Sequence, residues 1–586
     1  MRVVIGTVER QSLDSRASAA DRMMTRGLAR FMTAPRSTSA LVALASLIGA
    51  IYVAATFDGQ FLVGKGPFWA FPVGPWLMEP TDTQNSIDVL DYLVGYIGLV
   101  NSDWTFPFLH VPEIGAPGGT SVVFLDVIPV AALTGRIVSA VTGHVILPYG
   151  FWVACCFVLS AASASLLLAE VGQSSFLAAV ASAIFAVSAP ALLHRFPHFP
   201  LMAHFLLIAA LWLYCRDRRQ TSAAARFCRW AVLIALTVLV NPYLTAMVGA
   251  IYGASLLHDW RVSGPLSRLV EPIVIVVGVL TLMVSIGLIT SHQTLSGDGF
   301  GYFSMNLLSP ITPQRSGVLP SWQRIIDATS GQYEGFSYLG MGGLVLLTAG
   351  LLTNARSLWR SVRRNPELTG ILLLLTIFAL SKTVYAGRVK LLDLDIGWKL
   401  GRLAGIYRSS GRMFWPAYYA ILLGSLLLVL RRLPPRLRLP IVSFCCALQL
   451  IDSEPLRARL SHLTDHGGQP FLDAPTWSAR MSQAHFVNVY PTFFCSNTHQ
   501  RDVDMELQLA AVRERKDFNV VYNPRLSPDC NREAAALLKG PWQADTLYVF
   551  LDGISGLPPN WTPPNLACET FSQGRWCLGD RRDRLP

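Results

Sequence analysis

The chain of 586 residues contains 52% hydrophobic and 15% charged residues, whereas an ordinary soluble protein carries about 25% charged residues. This composition, with a mean hydropathy of +0.41, excludes a set of soluble domains and a disordered chain. It predicts a helical protein that crosses a membrane several times. The net charge of +11 is concentrated in arginine clusters beside apolar runs. No aromatic-interleaved basic face accompanies those clusters, so the pattern argues against nucleic-acid binding.

A basic tail, residues 1–38, precedes the first apolar run at 39–57. The tail is longer than the charged region of a secretory signal, so this run is predicted to be a membrane anchor rather than a cleaved peptide. Further apolar runs follow at 149–169, 174–191, 200–215, 230–257, 268–290, 337–353, 368–385, 413–430 and 439–451.

Two apolar runs have an ambiguous topology. The run at 119–142 carries charged residues and a proline, and the run at 230–257 is interrupted at Asn241 and Pro242. If the first is half-inserted and the second is a hairpin bent at Pro242, every arginine cluster falls on the cytoplasmic side, as the positive-inside rule requires. This choice predicts about 11 membrane segments, with the N-terminus in the cytoplasm and the C-terminus outside. A half-inserted segment also implies a cavity, because protein or water must cover its backbone polar groups.

The predicted organisation has three parts. Residues 1–38 form a cytoplasmic basic tail, and residues 39–451 form an all-α polytopic membrane domain whose outer loop at 58–148 contains half-inserted helices. Residues 452–586 have an ordinary soluble composition, and strand-like runs alternate there with helix-like runs. That alternation predicts a small α/β domain outside the membrane.

Four of the ten cysteines occur in this last part: Cys495, Cys530, Cys568 and Cys577. An even number without the spacing of a metal site indicates disulfides in an oxidising compartment. Cys568 and Cys577 flank a predicted hairpin turn, which favours a bridge between them and leaves Cys495 with Cys530. Four cysteines allow three pairings, and the other two remain open.

The outer loop at 58–148 supplies the candidate catalytic residues. Asp82, Asp88 and Asp91 follow the first span, and Trp104 lies further along the loop. A carboxylate at a membrane surface can take a proton from a hydroxyl or hold a divalent cation. The alternative is that these acidic side chains are simply solvated.

A short link between two apolar runs contains Arg195, His198 and His204. Pro197 and Pro200 break the helical phase that would align the imidazoles, which argues against a zinc site. The link is instead a candidate for hydrogen bonding to a polar ligand, with plain interfacial residues as the alternative.

The outer loop at 386–412 carries six cations and so breaks the charge rule. Arg408 and Arg412 lie where it enters the next span, and a guanidinium binds a lipid phosphate or pyrophosphate bidentately. Contact with lipid headgroups is the alternative. The D-x-D pair of Asp393 and Asp395 is a weak signal for a sugar-nucleotide enzyme. The loop at 291–336 is rich in aromatic and short polar side chains, which suit either stacking on sugar rings or an interfacial belt.

Several motifs together resemble a family of uncharacterised bacterial inner-membrane proteins. The order of the predicted parts resembles the GT-C class of membrane glycosyltransferases: a first span, a long outer loop with an acidic motif, half-inserted helices and a C-terminal outer domain. The motifs are Asp82-Thr83-Gln84, Leu201-Met202-Ala203-His204, Asn241-Pro242-Tyr243-Leu244, Met305-Asn306-Leu307-Leu308-Ser309-Pro310, Gly331-Gln332-Tyr333-Glu334-Gly335-Phe336 and Ser410-Gly411-Arg412 with Trp415-Pro416.

The GT-C resemblance implies transfer of a sugar from a polyprenyl-phosphate carrier to a glycan or lipid acceptor at the periplasmic face of the bacterial inner membrane. It assigns the catalytic carboxylate to Asp82, with Asp88 or Asp91 as substitutes, and it leaves a divalent cation open. Arg408 and Arg412 would hold the carrier phosphate, and His198 and His204 would line the cavity. The remaining candidate substrate-binding residues are Gln84, Trp104, Arg195, Tyr243, Asn306, Tyr333 and Glu334.

Two rival hypotheses belong to other classes of protein. One is a transporter or flippase for a lipid-linked saccharide, although the chain lacks the two related halves with paired interrupted helices that are common in transporters. The other is a non-catalytic assembly protein of the cell envelope.

Overall fold

The computed structural model describes residues 32, 34–70, 83–218, 222–263, 269–289, 299–322, 326–467, 470–496, 498–523, 529–540, 542–554, 557, 561–563 and 566–579. The predicted basic tail lies almost entirely outside these residues, and Asp82 also lies outside them. The Gln84 side chain is not among those described.

The described chain is mostly helical. Its first helices are α1 (Thr38–Ala54), α2 (Gly59–Leu62), α3 (Pro67–Ala70), α4 (Thr83–Asn101), α5 (Pro129–Thr142), α6 (Tyr149–Glu170), α7 (Phe176–Val187), α8 (Pro190–Leu193), α9 (Phe205–Asp217) and α10 (Ala223–Val238). They are followed by α11 (Pro242–Ser263), α12 (Val270–Ser285), α13 (Met341–Arg364), α14 (Pro366–Leu380), α15 (Gly397–Gly405), α16 (Trp415–Arg432), α17 (Pro435–Asp465), α18 (Ala474–Met481), α19 (Thr498–Arg513) and α20 (Cys530–Lys539).

Among the described residues, five helical stretches are long and apolar enough to cross a membrane: Tyr149–Glu170, Phe176–Leu193, Phe199–Asp217, Ser410–Arg432 and Pro435–Asp465. Shorter apolar helices occur at Thr38–Ala54, Pro129–Thr142, Val270–Ser285, Met341–Thr353 and Pro366–Leu380. The chain therefore has the helices of a membrane protein. The predicted number of about 11 membrane segments is not confirmed.

The ambiguous run at 230–257 is divided between two helices, α10 and α11, that pack against each other. Asn241 lies between the two helices, and its Oδ1 accepts the backbone N–H of Tyr243 at 2.9 Å. Pro242 begins the second helix, where the missing N–H of proline costs nothing. The other ambiguous run contains α5, whose 14 residues extend about 21 Å at 1.5 Å per residue, less than the thickness of a bilayer core.

Ion pairs join the arginine-rich ends of neighbouring helices. Arg226 on α10 contacts both Asp259 on α11 and Glu271 on α12. Arg216 on α9 contacts Glu170 on α6 at 3.2 Å. A similar ion pair joins Arg261 on α11 to Glu367 on α14 at 2.9 Å. These helix ends therefore lie on one face of the protein, called here the arginine-rich face.

Two short antiparallel hairpins lie between the helices. One pairs β1 (His110–Val111) with β2 (Thr120–Ser121), and the other pairs β3 (Thr383–Ala386) with β4 (Val389–Asp393). The first hairpin falls in the predicted outer loop at 58–148. The second begins inside the predicted apolar run at 368–385, because α14 ends at Leu380, and continues into the predicted outer loop at 386–412.

A five-stranded sheet forms the C-terminal region, from β5 (Phe486–Tyr490), β6 (Asp517–Phe518), β7 (Thr546–Leu551), β8 (Cys568–Phe571) and β9 (Gly574–Leu578). The order is β6-β5-β7-β9-β8. The first two pairs are parallel and need crossovers, while β7, β9 and β8 are antiparallel. Disulfides join Cys495 to Cys530 and Cys568 to Cys577, which is the pairing that the hairpin argument favours.

The C-terminal region is docked through hydrogen bonds onto the segment 58–148, which the sequence predicts to be an outer loop. Phe518 donates its N–H to the carbonyl of Glu113 at 3.0 Å, and its own carbonyl accepts the N–H of Gly115 at 2.9 Å. Asn101 at the end of α4 donates to the carbonyl of Val512 at 2.8 Å. This docking brings Tyr522 to the wall of a large cavity.

Candidate functional site

A cavity of about 1350 Å³ lies at the helix ends opposite the arginine-rich face. One part of its wall is apolar and includes Val238, Val240, Leu280, Met283, Leu288 and Ile289. The other part carries the carboxylates of Asp88, Asp126, Asp327 and Glu334 and the guanidiniums of Arg195, Arg315, Arg388, Arg408, Arg412 and Arg459. The cavity is therefore amphipathic, with an excess of positive charge on its polar wall.

A buried Arg–Glu–Arg cluster lies within the polar wall. Arg195 Nη1 donates to Glu334 Oε2 at 2.6 Å, while Arg412 donates from Nε to Oε2 at 3.0 Å and from Nη2 to Oε1 at 2.7 Å. Burial raises the pKa of Glu334, but the guanidiniums of Arg412 and Arg195 outweigh burial and hold that pKa well below its usual range. Glu334 is therefore ionised, and the cluster keeps a net positive charge.

Two close-packed turns position this cluster. Glu334 lies on the 3₁₀ turn Gln332–Gly335, and Arg412 lies on the 3₁₀ turn Ser410–Phe414. A Cβ atom on Gly411 would lie 2.5 Å from Gly335 Cα, so the two backbones meet where neither residue has a side chain.

The second feature of the polar wall is a carboxyl–imidazole pair. Asp88 lies on α4, and its Oδ2 is 3.4 Å from Nδ1 of His198. Burial, together with the carboxylates of Asp126 and Glu334, raises the pKa of Asp88 well above its usual range. Burial lowers the pKa of His198 to about 3, so the imidazole is uncharged near pH 7 and its contact with Asp88 is not an ion pair.

Asp126, which the sequence analysis did not assign to the site, also lines the cavity. It ends the 3₁₀ turn Val122–Leu125 in a left-handed conformation with φ of 51°. Leu125 and Val127 on either side of it are buried, whereas Asp126 is exposed. The sequence signal for this residue is a single acidic side chain within the apolar run at 119–142. Strained conformations of this kind concentrate at functional sites.

Arg408 lines the cavity next to the buried cluster. Within the described part of the chain it forms no ion pair, and its guanidinium lies 5.7 Å from the ring centre of Phe303. The hydroxyl of Tyr243 accepts the N–H of Ser409 at 3.0 Å, which fixes the backbone beside Arg408. The Tyr243 ring also lies 4.8 Å from the guanidinium of Arg412.

The cavity brings together eight of the residues predicted from the sequence: Asp88, Arg195, His198, Tyr243, Tyr333, Glu334, Arg408 and Arg412. The expected phosphate ligand Arg412 has Glu334 as a partner through Nε and Nη2, and Nη1 has no hydrogen-bond partner among the described residues. Arg315, Arg388, Arg459 and Tyr522 also line the cavity, although none of them is among the candidate site residues predicted from the sequence.

Four predicted residues lie away from the cavity wall. Asp91 is buried on α4. Trp104 stacks against Arg136, and the guanidinium of Arg136 lies 4.0 Å from the centre of the Trp104 ring. The expectation that His204 lines the cavity is not met, because its Nδ1 contacts the hydroxyl of Tyr419 at 2.8 Å inside the helix packing.

Asn306 is the fourth residue and has a structural role. It donates to the carbonyl of Gly387 at 2.9 Å and accepts the N–H of the same residue at 2.9 Å. In the weak D-x-D pair, Asp393 ends the exposed strand β4, where it contacts Lys390 at 2.9 Å, and Asp395 lies just after the strand. Within the described residues, no group of three or more His, Cys, Asp or Glu side chains is arranged to hold a metal ion.

These observations define a mostly helical protein of membrane type, with a large cavity at its helix ends and a small C-terminal sheet. A model for a domain of unknown function, DUF6311, matches residues 46–454, and a model for the DUF6311 C-terminal domain matches residues 476–578. The chain therefore belongs to the DUF6311 family. A search of curated proteins finds no match to it.

Proposed function

We propose that this protein transfers a sugar from a polyprenyl-phosphate carrier to a glycan or lipid acceptor at the periplasmic face of the bacterial inner membrane. The observation that carries the proposal is the amphipathic cavity. Its wall combines carboxylates, a guanidinium that forms no ion pair with any described residue and an apolar side. A volume of about 1350 Å³ exceeds the usual range for drug-sized ligands, about 300–1,000 Å³.

The proposed donor fits the two halves of the cavity. The isoprenoid chain lies along the apolar side formed by Leu280, Met283 and Leu288, and the phosphate lies beside Arg408. A charge-assisted hydrogen bond from Arg408 and the positive field of the Arg–Glu–Arg cluster stabilise the phosphate as negative charge develops on it.

The reaction needs a base at the acceptor hydroxyl. In the proposed step the acceptor oxygen forms a bond to the anomeric carbon, the bond from that carbon to the carrier phosphate breaks, and the phosphate leaves with the electron pair. A carboxylate takes the hydroxyl proton. Asp126 and Asp88 are the described candidates for this base, and Asp82 remains a prediction outside the described residues. The proposal leaves the use of a divalent cation unspecified.

The proposed orientation places the arginine-rich face in the cytoplasm and the cavity at the opposite membrane surface. Cys228, an exposed free cysteine on α10 beside Arg226 and Arg229, reports this orientation. A membrane-impermeant maleimide is expected to label Cys228 in inside-out vesicles and not in intact spheroplasts. Labelling of Cys228 in spheroplasts would reverse the orientation.

A transporter is the rival function. The ion pairs of Arg226 with Asp259 and Glu271 tie helix ends together on the face opposite the cavity. A carrier that alternates between two sides must break such contacts, so the network supports an enzyme that works from one side. Movement of a radiolabelled lipid-linked saccharide across proteoliposomes, without a new glycosidic bond, would favour the transporter.

The direct test is a transfer assay with the full-length protein in nanodiscs, using a panel of polyprenyl-phosphate sugars and an envelope extract as acceptor. We expect Asp126→Asn and Asp88→Asn each to reduce transfer by about 10²–10⁴-fold, the usual contribution of a general acid or base. Asp465→Asn, at an exposed carboxylate at the end of α17, serves as the control. Transfer within about threefold of wild type in both cavity variants would remove these carboxylates from the mechanism.

A further inference from the structure

The segment from β3 to α15 exposes more apolar surface than a water-soluble loop tolerates. Trp398, Leu400 and Leu403 on α15 are 70%, 60% and 64% exposed, and the hairpin strand β4 is exposed along its whole length. Large exposed apolar patches mark sites of interaction with proteins or membranes.

Cationic side chains are interleaved with these apolar ones. Lys390 lies on β4, and Lys399 and Arg402 lie on α15. The two acidic residues of the segment have local roles, since Asp393 contacts Lys390 at 2.9 Å and Asp395 Oδ1 accepts the N–H of Gly397 at 2.9 Å. A short helix with large apolar residues beside lysine and arginine is typical of segments that lie in a membrane interface.

The position of the segment in the chain also points to a membrane. β3 begins three residues after the apolar helix α14 ends at Leu380. α15 ends at Gly405, five residues before the candidate span Ser410–Arg432. Both connections are short, so the segment is held at the membrane boundary where these two helices end.

We infer that β4 and α15 form an interfacial element, residues 389–405, whose partner is the lipid bilayer and in particular its anionic headgroup region. The apolar side chains enter the boundary between headgroups and acyl chains, and the lysines contact lipid phosphates. Ile406, Tyr407 and Arg408 follow this element directly and line the cavity. The inference depends on exposure, charge and position and does not depend on the proposed reaction.

The test measures membrane depth with nitroxide spin labels at single cysteines. Starting from the full chain with its six free cysteines replaced by alanine, cysteines are introduced by Leu400→Cys, Leu403→Cys and, as a control, Leu538→Cys. Leu538 is 55% exposed on α20 of the C-terminal region. Because all three side chains are exposed, their replacement leaves the packed core unchanged. Each labelled protein is placed in nanodiscs of phosphatidylcholine with phosphatidylglycerol.

Collision rates with oxygen, which concentrates in the bilayer, and with a water-soluble nickel chelate report the depth of each label. We expect a several-fold higher oxygen-to-nickel ratio at 400 and 403 than at 538. Ratios equal to that at 538 would overturn the inference, because the segment would then lie in water. Protection from both reagents would also overturn it, because the segment would then be covered by protein, such as a second copy of the chain.

Discussion

Glu334 holds two separate parts of the cavity wall together, since its carboxylate binds Arg195 from one link and Arg412 from another. All three side chains are buried or nearly so. A buried charge is tolerated when it is paired, and removal of one partner leaves an uncompensated charge. The residue therefore contributes to stability and also fixes the geometry of the positive wall.

We expect Glu334→Gln to lower the free energy of unfolding by about 3–5 kcal/mol, because both guanidiniums lose their carboxylate. Glu454→Gln is the matched control, since Glu454 pairs with Arg457 on an exposed part of α17 and surface pairs contribute about 1 kcal/mol or less. Thermal unfolding in nanodiscs compares the two variants. Equal unfolding temperatures would show that the Arg–Glu–Arg cluster does not hold the wall.

At the scale of elements, the site depends on the contact between the turns Gln332–Gly335 and Ser410–Phe414. The backbone approach at Gly335 and Gly411 leaves no space for a Cβ atom. The second turn also leads directly into α16, one of the helices apolar enough to span a membrane. A shift at this contact therefore moves the Arg412 guanidinium relative to Glu334.

Gly411→Ala is expected to destabilise the protein by about 1–3 kcal/mol, because the added methyl group forces a backbone shift in a packed region. Gly424→Ala is the control, since a Cβ atom at Gly424 on α16 meets nothing within 4 Å. That change is expected to be neutral or to stabilise by up to about 1 kcal/mol. If the two variants unfold at the same temperature, the close approach of the backbones at Gly335 and Gly411 does not limit the stability of the protein.

For the whole molecule, the parts that the sequence predicted are those with local causes. Pro242 breaks an apolar run, and the arginine clusters mark one set of helix ends, so the hairpin and the common arginine-rich face could be anticipated. The C-terminal alternation of helices and strands likewise predicted the small sheet region. The count of about 11 segments could not be fixed in this way, since several helices are shorter than a full span.

The contacts that build the site could not be read from the sequence in the same way. Glu334 pairs with Arg195 across 139 residues and with Arg412 across 78 residues, so their spacing carries no local signal. Asp126 carries no motif of its own, because the apolar run around it indicates a half-inserted membrane segment and not a site. His204 and Asn306 belong to recognisable motifs, yet their hydrogen bonds serve helix and loop packing. The motifs therefore pointed to important residues, but they did not distinguish residues that line the cavity from residues that hold the fold together.

The central claim is that the cavity receives an anionic polyprenyl carrier. The most direct measurement uses polyprenyl phosphate with a diazirine on its isoprenoid chain, photolysed with the full-length protein in nanodiscs and mapped by mass spectrometry. Crosslinks are expected at the apolar side around Met283 and Leu288, with competition by unlabelled polyprenyl phosphate and a loss of about tenfold in Arg408→Gln, as for one charge-assisted hydrogen bond. Crosslinks spread over the outer helix surfaces, unaffected by the competitor or by Arg408→Gln, would contradict the claim.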